Sequence, residues 1–116
     1  MAQVLKDNGF RHVEVTVECG DQGVDILAVR NGKTYAIQCK NYADMVGNKA
    51  VQEAYAGAEY YGCDVPAVVC PTMFTASARE LAESTGVELW DGERLSHMMR
   101  VSGRRPHHDP RRDDEL

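Results

Sequence analysis

The sequence predicts an α/β domain on a mixed sheet: an antiparallel three-strand meander, joined through a crossover helix to a parallel strand and flanked by helices. Three observations predict it. The dipeptide Asn31-Gly32 separates two apolar-rich runs, the strongest short-range signal for a two-residue hairpin turn. Residues 12–17 alternate as HVEVTV, the two-residue period of a strand. A helical apolar period over residues 47–61 then precedes the short apolar run 66–70, PAVVC, the pattern of a crossover helix feeding a buried parallel strand.

The elements follow in order. Residues 2–8 read as a short helix that Gly9 stops in a left-handed conformation. The strand 12–17 sets Val13, Val15 and Val17 on one face and leads into a loop at 20–23. The second strand is apolar on both faces apart from Asp25, as expected of a sheet covered by helices; a carboxylate there is costly to bury unless a cation or partner satisfies it. The turn pairs Arg30 with Lys33, and walking outward sets Val29 opposite Thr34, Leu27 opposite Ala36 and Asp25 opposite Gln38. Lys40, two residues further on, projects from the same face as Gln38.

In the helix 47–61, Ala50, Val51, Ala54, Tyr55, Ala58 and Tyr61 form the packed face, and Lys49, Gln52 and Glu53 point elsewhere. Thr75 or Ser77 caps the next helix, with Ser77 and Glu80 at capping-box spacing, and Gly86 ends it. Residues 87–89 form a brief strand, and Asp91 caps a last helix that buries Leu95, Met98 and Met99. Trp90 takes a core or rim position. The domain spans 1–101; residues 102–116, SGRRPHHDPRRDDEL, lack apolar periodicity and read as a disordered polar tail.

With 116 residues and a hydrophobic fraction of 43%, the chain suits one globular domain. No run approaches a membrane span and no secretory leader opens the chain, so the expected location is cytoplasmic, with no membrane partner. Four cysteines without CxxC spacing read as buried free thiols rather than a zinc site. A net charge of −5 argues against strong non-specific DNA binding. Residues 20–62 are nearly balanced, however, and a bound divalent cation would turn that region positive.

The trio Asp25, Gln38 and Lys40 suits phosphodiester hydrolysis. Asp25 and the Gln38 amide oxygen are candidate ligands for Mg²⁺ or Mn²⁺, joined by the main-chain carbonyl of Cys39, and Lys40 is placed to orient the attacking water and offset charge on the phosphate. Gln38 is neutral, so metal binding is expected to be weak until a substrate phosphate completes the shell. The competing interpretation is an ordinary polar cluster on a strand pair.

Around this trio the sequence resembles a known family. GDQGVDI at 20–26 is similar to the GDxGxD segment, and Gln38-Cys39-Lys40 to the QxK variant, of the Mrr-type restriction endonucleases in the PD-(D/E)xK nuclease superfamily. The likeness continues through Tyr42, VGNKAVQEAYAGAEYYGCD, Phe74-Thr75, Val87-Glu88-Leu89 and Trp90-Asp91-Gly92. It implies a restriction-endonuclease-like core and metal-dependent cleavage of DNA, with Asp25 as first acid, Gln38 at the second position and Lys40 as catalytic lysine. It also sets the helix 47–61 beside the site, so that Lys49 and Gln52, together with Gln22 and Gly23 of the loop, are candidates for DNA contact.

One departure stands out: the acid that family members carry on an N-terminal helix has no match here. A shortened version of the fold, substitution by Glu14 or Glu18, and impaired catalysis are the open alternatives. DNA is the expected partner, with room for a homodimer and for a separate recognition domain or subunit. A structure-specific nuclease of branched DNA, and a DNA-binding or partner-docking module without turnover, are the rival functions.

Overall fold

The computed structural model describes residues 1–16, 24–40 and 43–103. Its elements are α1 (Ala2–Asp7), β1 (Arg11–Val15), β2 (Ile26–Arg30), β3 (Lys33–Cys39), α2 (Asn48–Tyr61), β4 (Val65–Val69), α3 (Ala76–Thr85), β5 (Glu88–Trp90) and α4 (Gly92–Val101). The strands form one sheet in the order β1-β2-β3-β4-β5. The β1–β2 and β2–β3 pairs are antiparallel, and β3–β4 and β4–β5 parallel, so the meander and crossover are those the sequence predicts.

Asn31 and Gly32 both take positive φ, 54° and 79°, as a type I′ turn requires. The turn fixes the predicted register from Arg30↔Lys33 to Ile26↔Ile37. Along β3 the side chains then divide between two cores. Tyr35 and Ile37 join Leu5 of α1, Trp90 of β5 and Met98 of α4 on one face. Ala36 packs against Ala58 of α2 on the other, where Val51, Ala54 and Val68 meet α3. Trp90 is therefore core, tilted against Phe10 at 5.8 Å.

Three expectations are corrected. Val15 is 58% exposed rather than packed with Val13, because β1 is an edge strand whose register shifts between Arg11 and Glu14, where His12 takes φ 53°. Tyr55 is 43% exposed; α2 buries Ala50, Val51, Ala54, Gly57 and Ala58 instead, small residues that let the helix lie close to the sheet. Ser77 is not a cap: Thr75 caps α3 by accepting the Ala78 amide at 3.1 Å, and Ser77 accepts from Asn48 at 2.6 Å. Asp91 caps α4 as predicted, accepting the Arg94 amide at 3.0 Å. Ser102 and Gly103 complete the turn after α4, and the rest of the predicted tail lies outside the described residues. No helix among the described residues is long and apolar enough to cross a membrane.

Candidate active site

The hairpin register breaks at Asp25. A continued ladder would set Asp25 opposite Gln38, but the Asp25 amide donates to the Ile37 carbonyl at 2.8 Å, one residue out of step. Side-chain alternation breaks with it. Val24 and Leu27, an odd number of residues apart, both pack with Ala36 and Ala58. The pairing expected at this position is therefore replaced by a local irregularity of the kind that re-aims a side chain.

The Asp25 carboxylate accepts the Cys39 amide at 2.7 Å. On the opposite edge of β3, the Lys40 amide donates to the Val69 carbonyl at 2.8 Å, so the neighbouring Cys39 amide and carbonyl face away from β4, toward Asp25. Asp25 thus sits beside the main-chain group that separates Gln38 from Lys40. The Cys39 side chain packs on the α1/α4 face, opposite Gln38. Its burial, reinforced by the Asp25 charge, pushes its thiol up to about 11.

Gln38 is 5% exposed and points toward α2. Its Nε2 donates to Glu53 Oε1 at 3.1 Å, and Lys40 Nζ donates to the same oxygen, also at 3.1 Å. Gln38 and Lys40 therefore share one face of the strand end, where they meet an acid that sequence reasoning set aside. Glu53 does not point elsewhere. It lies three residues after Ala50 and four before Gly57, on the border of the buried stripe of α2, and that position on a helical wheel was the signal available. Desolvation pushes the Glu53 carboxyl up, but hydrogen bonds from Gln38 and Lys40 and the charges of Lys40 and Lys49 outweigh it, leaving the group below its ordinary range.

Of the two acids open as substitutes on the N-terminal side, Glu14 is exposed on β1 opposite Leu27, and Glu18 lies outside the described residues. So do Gln22, Gly23 and Tyr42. A cleft of about 150 Å³ opens beside Glu53, lined by Lys40, Val46, Gly47, Lys49 and Ala50. Lys49 and Gln52 are both exposed; Lys49 lines the cleft, while Gln52 bonds Asn48 at 3.3 Å on the same helix surface.

Gln38 Oε1 is buried and has no hydrogen-bond partner among the described residues. A buried acceptor left unmet costs about 1–3 kcal/mol. Its orientation is not arbitrary, because a carboxylate can only accept and so holds the amide nitrogen toward Glu53. A hard cation takes oxygen ligands such as amide carbonyls, carboxylates and main-chain carbonyls. Gln38 Oε1, the Asp25 carboxylate and the Cys39 carbonyl are oxygens of that chemistry, while no cluster of three or more His, Cys, Asp or Glu that could hold a metal occurs among the described residues.

A model of the Mrr_cat family, described as restriction endonuclease, matches residues 1–99. The chain belongs to the Mrr_cat restriction endonuclease family. An uncharacterized protein of Archaeoglobus fulgidus is 32% identical over an alignment of 97 positions that covers 77% of this chain and 56% of the relative. The chain therefore spans little more than half the length of that relative. Among solved structures, the protein of unknown function AF1548 superposes with TM-score 0.76 at 25% identity, over 99% of this chain and 72% of its own. The DNA modification-dependent restriction endonuclease AspBHI gives 0.70 at 15% identity, over 88% and 30%, and a repair endonuclease from Pyrococcus abyssi 0.54 at 23%, over 75% and 39%. These last two share with the Mrr_cat chain the restriction-endonuclease-like fold of a mixed sheet between helices.

Proposed function

We propose that this Mrr_cat domain is a divalent-metal-dependent DNA endonuclease of the Mrr restriction type, with its centre at Asp25, Gln38 and Lys40. The observation that carries the reading is the buried Gln38 oxygen, without a hydrogen-bond partner among the described residues, at the strand end where Asp25 accepts the Cys39 amide and Lys40 shares Glu53 with Gln38.

Asp25, Gln38 Oε1 and the Cys39 carbonyl would hold Mg²⁺ or Mn²⁺. When bound, the ion polarises a phosphate oxygen and lowers the pKa of attached water. Asp25 would serve as the charged ligand and Gln38 as a neutral one, so the ligand set would carry little negative charge to repel an incoming phosphate. Lys40, only 18% exposed at its side chain, is a cation in partly dry surroundings, suited to orient the nucleophilic water and offset charge gathering on the phosphate. Lys49 in the lining of the cleft, with Gln52 on the same helix, would engage the neighbouring backbone, and Gln22 and Gly23, outside the described residues, are further candidates for DNA contact.

One such centre cuts one strand. A lone copy is expected to nick duplex DNA, and double-strand breaks call for a homodimer or a partner subunit. The modification-dependence of AspBHI recommends methylated DNA as a substrate to set beside plain linear duplex and a four-way junction. Cleavage in Mg²⁺ or Mn²⁺ that EDTA stops and Lys40→Ala abolishes supports the reading; turnover that survives Lys40→Ala refutes it. DNA binding without turnover in either metal, unchanged by Asp25→Ala, would instead indicate a binding module of the same fold.

A further inference from the structure

We propose that Glu53 is a positioning residue for the metal-binding amide, so that the second position of the centre is a Gln38–Glu53 pair rather than a lone glutamine. This rests on the preceding reading of Gln38 as a cation ligand. The geometry of one oxygen carries it: Glu53 Oε1 takes a hydrogen bond from Gln38 Nε2 and another from Lys40 Nζ, each at 3.1 Å.

A primary amide unsupported by its surroundings can turn over and present either nitrogen or oxygen. Only the oxygen can bind a hard cation. Turned over, Gln38 would bring its oxygen against the Glu53 carboxylate, acceptor against acceptor, and lose the bond. Glu53 therefore locks the amide with its nitrogen on the carboxylate and leaves free of that contact its oxygen, the atom without a donor among the described residues. The same carboxylate anchors the Lys40 ammonium. It supplies a negative charge one step behind the ligand, where the neutral Gln38 brings none. Small residues make the approach feasible: Ala50 is buried three positions before Glu53 and Gly57 four after it, so α2 lies close enough to the sheet for a glutamate to reach the strand end.

Partners that orient a metal ligand from behind typically matter by about 10–100-fold in metal affinity or activity. The test is Mn²⁺ binding measured by calorimetry on the full chain, with thermal unfolding in EDTA as a check on folding. In Glu53→Ala the amide is released, and Mn²⁺ affinity is expected to fall about tenfold or more. In Glu53→Gln a neutral oxygen still accepts from both donors, and affinity is expected to stay within about threefold of the parent. Cleavage by Glu53→Ala should recover partly as Mg²⁺ is raised.

Parent-like Mn²⁺ affinity in Glu53→Ala overturns the inference while leaving the proposed centre standing. An equal loss in Glu53→Gln and Glu53→Ala overturns it too, because charge rather than orientation would then be responsible. Absence of Mn²⁺ binding by the parent chain even at millimolar metal with duplex DNA present overturns the reading of Gln38 as a ligand and this inference with it.

Discussion

Replacing Gly92 by alanine tests how the loops behind the site are clamped. A Cβ on Gly92 would stand 2.3 Å from the Pro71 carbonyl oxygen and 3.0 Å from its carbon, about 1 Å inside ordinary contact for the first. Both atoms are backbone, so no rotamer change relieves the clash. Overpacking of this kind costs about 1–3 kcal/mol. The opposing gain is helix propensity, at most about 1 kcal/mol for alanine over glycine in a helix interior. Gly92 is the first residue of α4, so it gains less than that.

The clash wins, with a net destabilisation of about 1–2 kcal/mol. At a urea slope of about 1–3 kcal/mol per molar, the midpoint should drop by roughly 0.3–2 M. The effect also travels toward the site. The Gly92 amide donates to the Thr72 carbonyl at 2.9 Å, and the Thr72 hydroxyl donates to the Asp44 carbonyl at 3.0 Å. Beyond it Val46 bonds Met73 at 2.9 Å and opens the segment that enters α2. Cleavage should therefore decline with stability in Gly92→Ala. A urea midpoint equal to the parent's or higher would refute the argument.

Other outcomes follow from the same geometry. Alkylation mapped by peptide mass spectrometry should find Cys39 nearly inert at pH 8, since a thiol titrating near 11 is only about one part in a thousand thiolate there; labelling as fast as a free cysteine would contradict its placement. The Glu53 carboxyl is lowered in the folded state, so its contribution to stability is present above the ordinary carboxylate value of 4.5 and lost as pH falls through the folded value. Glu53→Gln should therefore flatten the acid limb of the stability profile below about pH 4.5, modestly because the side chain is 36% exposed, and an unchanged limb would count against the pair. Thr75→Ala should cost about 1 kcal/mol through the lost cap of α3, read as a lower urea midpoint.

Much of the fold was written in local chemistry. Asn31-Gly32 can take two positive φ angles at little cost, and that alone fixed the register from Arg30↔Lys33 to Ile26↔Ile37. Asp91 announces a helix start because its side chain accepts the amide three residues on, and Thr75, one of two caps the sequence offers for α3, does the same. The placement of Gln38 and Lys40 on one strand face follows from strict alternation along β3.

Other features depended on distant partners. The extension of the hairpin register to Asp25 failed because its carboxylate binds the Cys39 amide and its own amide shifts to Ile37, contacts that no local period encodes. Glu53 was hidden for a related reason. Hydropathy groups it with the solvent face of α2, but the sheet supplies Gln38 and Lys40 as donors, and a charged group is tolerated at a helix–sheet border where such donors meet it. The sequence by itself determined the strands, the turn and the Gln38–Lys40 face. Only the tertiary structure decided that Glu53 meets that face and that Asp25 takes the Cys39 amide, because these hydrogen bonds join residues 13 to 15 apart along the chain.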